Sequence, residues 1–323
     1  MERIVFADDC LVTEEAMAIL RSIGVITKCE TLDELRKACL DATIILSEYT
    51  PITAETINSA RNLKGIIAVG AGYNHIDIEA ANNRKVLVTN ARGANAESVA
   101  ELTIGLMLSL ARKICLAENW TRAKNWETIS GAKLPGWFWG KELHGKTVGI
   151  IGLGEIGRRI ARICVHGFQM NAITARSDKK QLGQAVPGVV ETDLDTLFST
   201  SDFVTIHVPL SKETRGLVNR SRLGMMKRDA FLINTSRGAV VDEAALIEAL
   251  KAGIIAGAAL DVFSSEPLNP VSELFTLENV VITPHIGGYT EEATVRISMT
   301  VAEEAVRISR REKPRNAVNA VSS

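Results

Sequence analysis

The stretch Gly152-Leu153-Gly154-Glu155-Ile156-Gly157 constrains this chain more than any other. It follows a β-branched apolar run, 147–151, and opens a helical pattern through Ile160, Ala161 and Cys164. In a strand-to-helix turn the first glycine makes the bend and the second lets a pyrophosphate approach the backbone. The third packs helix on strand, while the helix N-terminus supplies N–H donors and positive dipole. The spacing therefore predicts a dinucleotide site on Gly152, Leu153, Gly154, Glu155, Ile156 and Gly157. An upstream loop, Gly70-Ala71-Gly72-Tyr73-Asn74-His75, lacks the third glycine and is read as offering amides to a smaller anion.

The rhythm around the motif is βαβ. Strands are expected at 3–7, 25–29, 43–47, 65–69 and 86–89, and again at 147–151, 171–174, 203–208, 230–235, 255–262 and 280–283. Between the two sets, Val99, Leu102, Leu106, Leu110 and Ile114 draw one stripe down a long helix, read as a connector between domains. A last helix opens at Thr290, with Glu291 and Glu292 in its first turn. A length of 323 residues allows two domains at roughly 150 residues each.

Composition excludes several partners. With 37 basic and 38 acidic side chains the formal charge is −1, which argues against a nucleic-acid or anionic-membrane surface. The most apolar stretch, 102–111, is about half of the ~20 residues a bilayer span needs, and acids near the start leave no signal-peptide core, so a cytoplasmic protein is expected. Five scattered cysteines without C-x-x-C spacing read as reduced thiols. His75 and Glu79 are spaced for a metal but lack a third ligand, and Asp77 reads as a helix cap.

Cofactor choice should be written about 20 residues past the glycines, where an acid would hold the adenosine ribose diol. Thr174 stands there, followed by Arg176 and Ser177. A guanidinium and a hydroxyl suit a 2′-phosphate, which a carboxylate would repel, so NADP is expected over NAD. The alternative makes Arg176 a solvated residue and Asp178 the acid of a longer loop.

Seven ordered segments, LKGIIAVGAGYNHIDIEAA, NARGANAESVAEL, KTVGIIGLGEIGRRIA, IHVPLSKETRGLVN, FLINTSRGAVVDEAAL, GAALDVFSSEP and ITPHIGG, cover nearly the whole chain. In them it resembles the D-isomer-specific 2-hydroxyacid dehydrogenase family, and most of all the NADPH-dependent glyoxylate/hydroxypyruvate reductases. The resemblance implies an α/β protein of two Rossmann-like doubly wound parallel-sheet domains with a cleft between them. Residues 1–97 plus 290–323 would bind substrate, and 98–289 the dinucleotide. It carries the catalytic Arg, Glu and His onto Arg237, Glu266 and His285. It also implies cofactor contacts at Thr103, His207, Val208, Pro209, Thr214, Thr235, Ser236, Asp261, His285 and Gly287, with Asp261 on the nicotinamide amide. The amides of Ala71 and Gly72 would meet the substrate carboxylate.

Chemistry agrees with the three catalytic assignments. Reducing a keto group builds negative charge on oxygen, which needs a proton donor and a fixed cation. His285 would donate, with Glu266 favouring its charged form, Arg237 would grip the carboxylate and carbonyl oxygens, and Pro284 would help aim the histidine. Trp120, Trp126, Trp137 and Trp139 crowd one short stretch. They are read either as core filling or as a dimer contact with Trp137 or Trp139 walling a partner's substrate pocket. Glyoxylate or hydroxypyruvate is the first substrate expectation and a homodimer the expected assembly. A 2-ketogluconate-type dehydrogenase and a dinucleotide-sensing co-regulator stay open. With about one helix following His285, the regulatory domain common in phosphoglycerate dehydrogenases is not expected.

Overall fold

The computed structural model describes residues 1–128, 135–175 and 186–320. The chain divides into two compact units, Met1–Asn95 with Gly288–Ser323, and Ala96–Gly287. Each is a parallel sheet covered by helices on both faces, as the alternation of β-branched runs and helical patterns requires.

In the first unit the strands are β1 (Glu2–Phe6), β2 (Gly24–Lys28), β3 (Ile44–Ser47), β4 (Gly65–Ala68) and β5 (Leu87–Asn90), in the spatial order β2-β1-β3-β4-β5. Successive side chains alternate between two cores. Ile4, Phe6, Ile44, Leu46 and Ile67 pack with Met17 and Leu20 and with Val301, Ala305 and Ile308 of the final helix, Glu291–Arg310. Val5, Ile45, Ile66 and Val88 face the opposite way, against Leu35, Ile57 and Ala81. Thr290 caps the final helix, its hydroxyl accepting from the Ala293 amide at 3.1 Å. Asp77 caps another helix, accepting from the Ala80 amide at 2.9 Å.

The second unit carries β6 (Thr147–Ile151), β7 (Asn171–Ala175), β8 (Val189–Thr192), β9 (Phe203–Ile206), β10 (Phe231–Asn234), β11 (Gly257–Leu260) and β12 (Val280–Ile282). Their order, β12-β11-β10-β9-β6-β7-β8, is the dinucleotide-fold order with one strand added. Six strands were expected here and the described residues form seven. β8 is a half-polar edge strand, Val-Val-Glu-Thr, with no fully buried residue and hence no apolar run to announce it.

The long helix, Ala96–Arg112, is not a connector. It belongs to the second unit, where Ala100, Ile104, Met107 and Leu110 pack on Val148, Ile150, Ile160 and Ile233. It also ends one residue before Lys113, whose left-handed φ of 54° breaks the stripe and leaves Ile114 half exposed on a second helix. No helix among the described residues is long and apolar enough to cross a membrane.

Candidate active site

The sheet order of the second unit reverses between β6 and β9, and the loops after those two strands form its topological switch point. Gly152 adopts a φ of +99°, and a Cβ there would lie 2.5 Å from the His207 carbonyl oxygen. At Gly157 a Cβ would lie 2.1 Å from the Gly152 oxygen, so the helix Glu155–Arg162 can start this close to the turn only with glycine. A Cβ on Gly154, by contrast, would meet nothing. That open position faces a helix N-terminus, and the loop fits a dinucleotide pyrophosphate on these grounds. Leu153 is buried in the core and Ile156 packs against it, so these two would contribute backbone alone. Glu155 pairs with Arg159 at 2.8 Å.

Across the switch point, His207 Nε2 lies 2.7 Å from Thr205 Oγ1, and its Nδ1 is buried without a partner. Burial pushes this imidazole down to about 3, which keeps the ring neutral. Val208 lies against the glycine turn, 2.9 Å from where a Gly152 Cβ would stand.

Several threonines expected to face the cofactor turn their hydroxyls elsewhere. Thr174 is fully buried and donates to the Ile150 carbonyl at 2.8 Å. Thr103 donates to Val99, and its hydroxyl lies 2.9 Å from that of Thr235, tying the long helix to β10. Thr214 closes its own loop, donating to the Pro209 carbonyl and accepting from the Ser211 amide. In this structure the hydroxyls of these four threonines are engaged within the protein and support the scaffold, which leaves them acceptor capacity towards a ligand. Arg176 and Ser177 lie outside the described residues.

The three expected catalytic residues converge within the second unit. Arg237 follows β10, where Asn234 holds the turn: its Nδ2 donates to the Arg237 carbonyl at 3.0 Å, and its Oδ1 accepts from the Ser236 amide and hydroxyl. At Gly238 a Cβ would lie 1.8 Å from the Phe263 carbonyl carbon, so the arginine turn rests on the backbone that leads to Glu266. Glu266 Oε1 accepts from the Phe263 amide at 3.0 Å, and Oε2 lies 2.6 Å from His285 Nδ1. Burial alone would raise the Glu266 carboxyl. The His285 hydrogen bond, the Phe263 amide and the charges of His285 and Arg237 outweigh it and hold the group below the usual carboxylate range.

His285 has a left-handed φ of +56°, unusual for a residue with a Cβ. Asp261, 1% exposed at the end of β11, fastens the backbone on both sides of it. Its Oδ1 accepts from Thr283 Oγ1 at 2.6 Å and the Ile286 amide at 2.9 Å, and its Oδ2 from the Gly287 amide at 2.9 Å. Sequence reasoning missed Asn234 and this use of Asp261. Each was visible only as a polar residue ending an apolar strand.

This wiring carries a prediction. Gly238→Ala should destabilise the protein by about 1–3 kcal/mol through overpacking. It should also lower turnover by about a hundredfold, because displacing Phe263 displaces the carboxylate that orients His285. Denaturant unfolding and steady-state kinetics check the two effects.

In the first unit, Gly70-Ala71-Gly72 follows β4. The Asn90 side chain donates to the Ala71 carbonyl at 2.7 Å, and neither the Ala71 nor the Gly72 amide donates to a protein acceptor among the described residues. Trp137 is 40% exposed, stacked on Phe138 at 4.0 Å and edge-on to Trp120 at 6.4 Å, while Trp139 is 83% exposed.

A sheet of this order with a glycine turn at its crossover fits a dinucleotide, and the carboxylate-held imidazole on its later strands adds a proton-transfer group, the parts a nicotinamide-dependent oxidoreductase uses. The chain belongs to the D-isomer-specific 2-hydroxyacid dehydrogenase family, whose NAD-binding-domain model matches residues 104–287. It is 41% identical over 289 residues to a glyoxylate reductase of Thermofilum pendens, covering 89% of this chain and 84% of that one. It is 40% identical over 312 residues to a D-3-phosphoglycerate dehydrogenase of Archaeoglobus fulgidus, covering 95% of this chain but only 58% of the relative. Among solved structures, the NADPH-dependent glyoxylate/hydroxypyruvate reductase of Sinorhizobium meliloti, in complex with NADP and malonate, superposes with a TM-score of 0.85. That match has 27% identity and covers 98% of this chain and 96% of the other.

Proposed function

We propose that the chain is an NADPH-dependent reductase of small 2-keto acids, glyoxylate and hydroxypyruvate first, yielding D-2-hydroxy acids. The observation that carries the reading is the 2.6 Å contact between His285 Nδ1 and Glu266 Oε2, on a carboxylate that also feels the Arg237 charge. When bound, the reduced nicotinamide supplies the hydride. Glu266 fixes the ring through Nδ1, which leaves the Nε2 edge to deliver a proton to the carbonyl oxygen. Arg237, forked and permanently charged, holds the substrate's oxygens. The Ala71 and Gly72 amides receive the carboxylate. In this reading the first unit binds substrate and the second the dinucleotide.

NADPH is favoured because the residues straight after β7 are Arg176 and Ser177, with no acid on the strand's last turn of chain. The cofactor named for the Sinorhizobium protein points the same way. We assign a homodimer on the exposed Trp126, Trp137 and Trp139, with half-buried Trp120 edge-on to Trp137, since such apolar surface is costly to leave in water. Trp137 would wall the partner's substrate pocket.

Oxidation of NADPH and NADH, followed spectroscopically with glyoxylate, hydroxypyruvate, pyruvate and 2-ketogluconate, tests the proposal. The expected result is turnover of the first two with NADPH at least about tenfold more efficient than NADH, the worth of one charge-assisted contact. A preference for NADH would overturn the cofactor assignment.

A further inference from the structure

The first unit has a switch point of its own, between β1 and β3, where ligands of open parallel sheets gather at the strands' carboxyl ends. Asp8, just past β1, fills it. Its carboxylate accepts from the amides of Glu48, Tyr49 and Thr50, from Ser47 Oγ and from Cys10 Sγ, at 2.7–3.3 Å. Burial would raise this carboxyl, but these donors hold it below its ordinary range and so keep it charged. The loop after β3 is thereby fixed in place, and it carries Glu48 and Tyr49.

Burial raises the Glu48 carboxyl above its ordinary value, and the Leu11 amide and the phenols of Tyr49 and Tyr289 beside it offset only part of that rise. The two phenols are 3.1 Å apart and both are more than half exposed. The neighbouring strand end leads to Gly70-Ala71-Gly72, and the Val69 amide donates to the Ser47 carbonyl at 2.9 Å. Adjacent strands lie about 4.8 Å apart, roughly the span of a three-carbon acid. An acid whose carboxylate met the Ala71 and Gly72 amides would lie at the strand end next to the Glu48 loop.

We propose that Glu48, set in place by Asp8 and flanked by Tyr49 and Tyr289, is a specificity-determining residue that restricts substrates to 2-keto acids without a phosphate on the third carbon. The proposal rests on the reading of the chain as a 2-keto acid reductase. A hydroxyl on that carbon can donate to the carboxylate or exchange hydrogen bonds with the phenols. A phosphate has nothing to donate when ionised, and it brings about two negative charges beside the carboxylates of Asp8 and Glu48.

The test compares kcat/KM for hydroxypyruvate and 3-phosphohydroxypyruvate in the native protein, Glu48→Gln and Glu48→Arg, with NADPH. The native protein should prefer hydroxypyruvate by at least about a hundredfold. Glu48→Gln, nearly isosteric, should narrow that ratio about tenfold and Glu48→Arg further. In a second measurement, the phosphorylated acid should inhibit glyoxylate reduction by the variants at concentrations that leave the native protein uninhibited. Equal use of the two acids by the native protein, or a ratio and an inhibition unmoved by both substitutions, would overturn the role of Glu48 while leaving the reductase reading intact. Absence of turnover with every keto acid would bring down the reductase reading and this proposal with it.

Discussion

His285→Ala should lower kcat for keto-acid reduction by about 10²–10⁴-fold, the contribution expected of a positioned proton donor, and should leave the affinity for the reduced dinucleotide within a few-fold of native. The two readouts separate because the glycine turn at Gly152, Gly154 and Gly157 stands on different strand ends from the histidine, past β6 rather than β12. The imidazole is held at one nitrogen by Glu266 at 2.6 Å and through its backbone by Asp261, so its placement is built in rather than dependent on a ligand. In the proposed role, removing the ring would take away the group that neutralises oxygen as hydride arrives, and a water in its place would be neither as acidic nor as fixed. Stopped-flow turnover paired with dinucleotide titration measures both quantities. A kcat that survives the substitution removes His285 from the proton-donating role.

The parts of the fold that repeat a local rule were legible in the sequence. β6 was placed to the residue, and most other strands to within one or two, because both faces of each sheet are covered and its strands read as unbroken apolar runs. β8 escaped because an edge strand needs no such run. The break at Lys113 escaped because a lysine in the left-handed region carries none of the glycine signal that ends helices. The glycine turn was legible since its chemistry lies within six consecutive residues. The contacts that aim Arg237 and His285 were not. They run from Asn234 across Gly238 to Phe263, Glu266 and Asp261, and they exist only when β10, β11 and β12 lie side by side. Thr103, Thr174 and Thr235 mark the same boundary. Whether a hydroxyl faces a ligand or a neighbouring carbonyl is decided by the packing around it, which periodicity does not encode. Asp8 and the Glu48 loop, 40 residues apart in the chain, give no sign of their contact before β1 and β3 pair.

If glyoxylate is the substrate, Arg237→Lys should lower its kcat/KM by about a hundredfold or more and Arg237→Ala should lower it further, with both KM and kcat affected. The lysine keeps the charge and loses the fork, so it can hold one substrate oxygen where the guanidinium holds two, and a carboxylate beside a carbonyl needs the pair to fix the angle at which hydride arrives. Position matters as much as charge. Asn234 fastens the carbonyl of residue 237 at 3.0 Å and Gly238 seats the turn on Phe263, so the backbone stays in place in either variant and the loss belongs to the side chain. A second consequence separates this role from a merely structural one. The Arg237 charge is one of the influences that keep Glu266 ionised, so its removal in Arg237→Ala lets the Glu266 carboxyl rise toward its ordinary value, whereas Arg237→Lys largely preserves it. The acid limb of the pH–rate profile should therefore shift upward in the alanine variant and little in the lysine variant. Equal profiles for the two, with kcat/KM near native, would show that Arg237 neither grips substrate nor acts on the pair beside it.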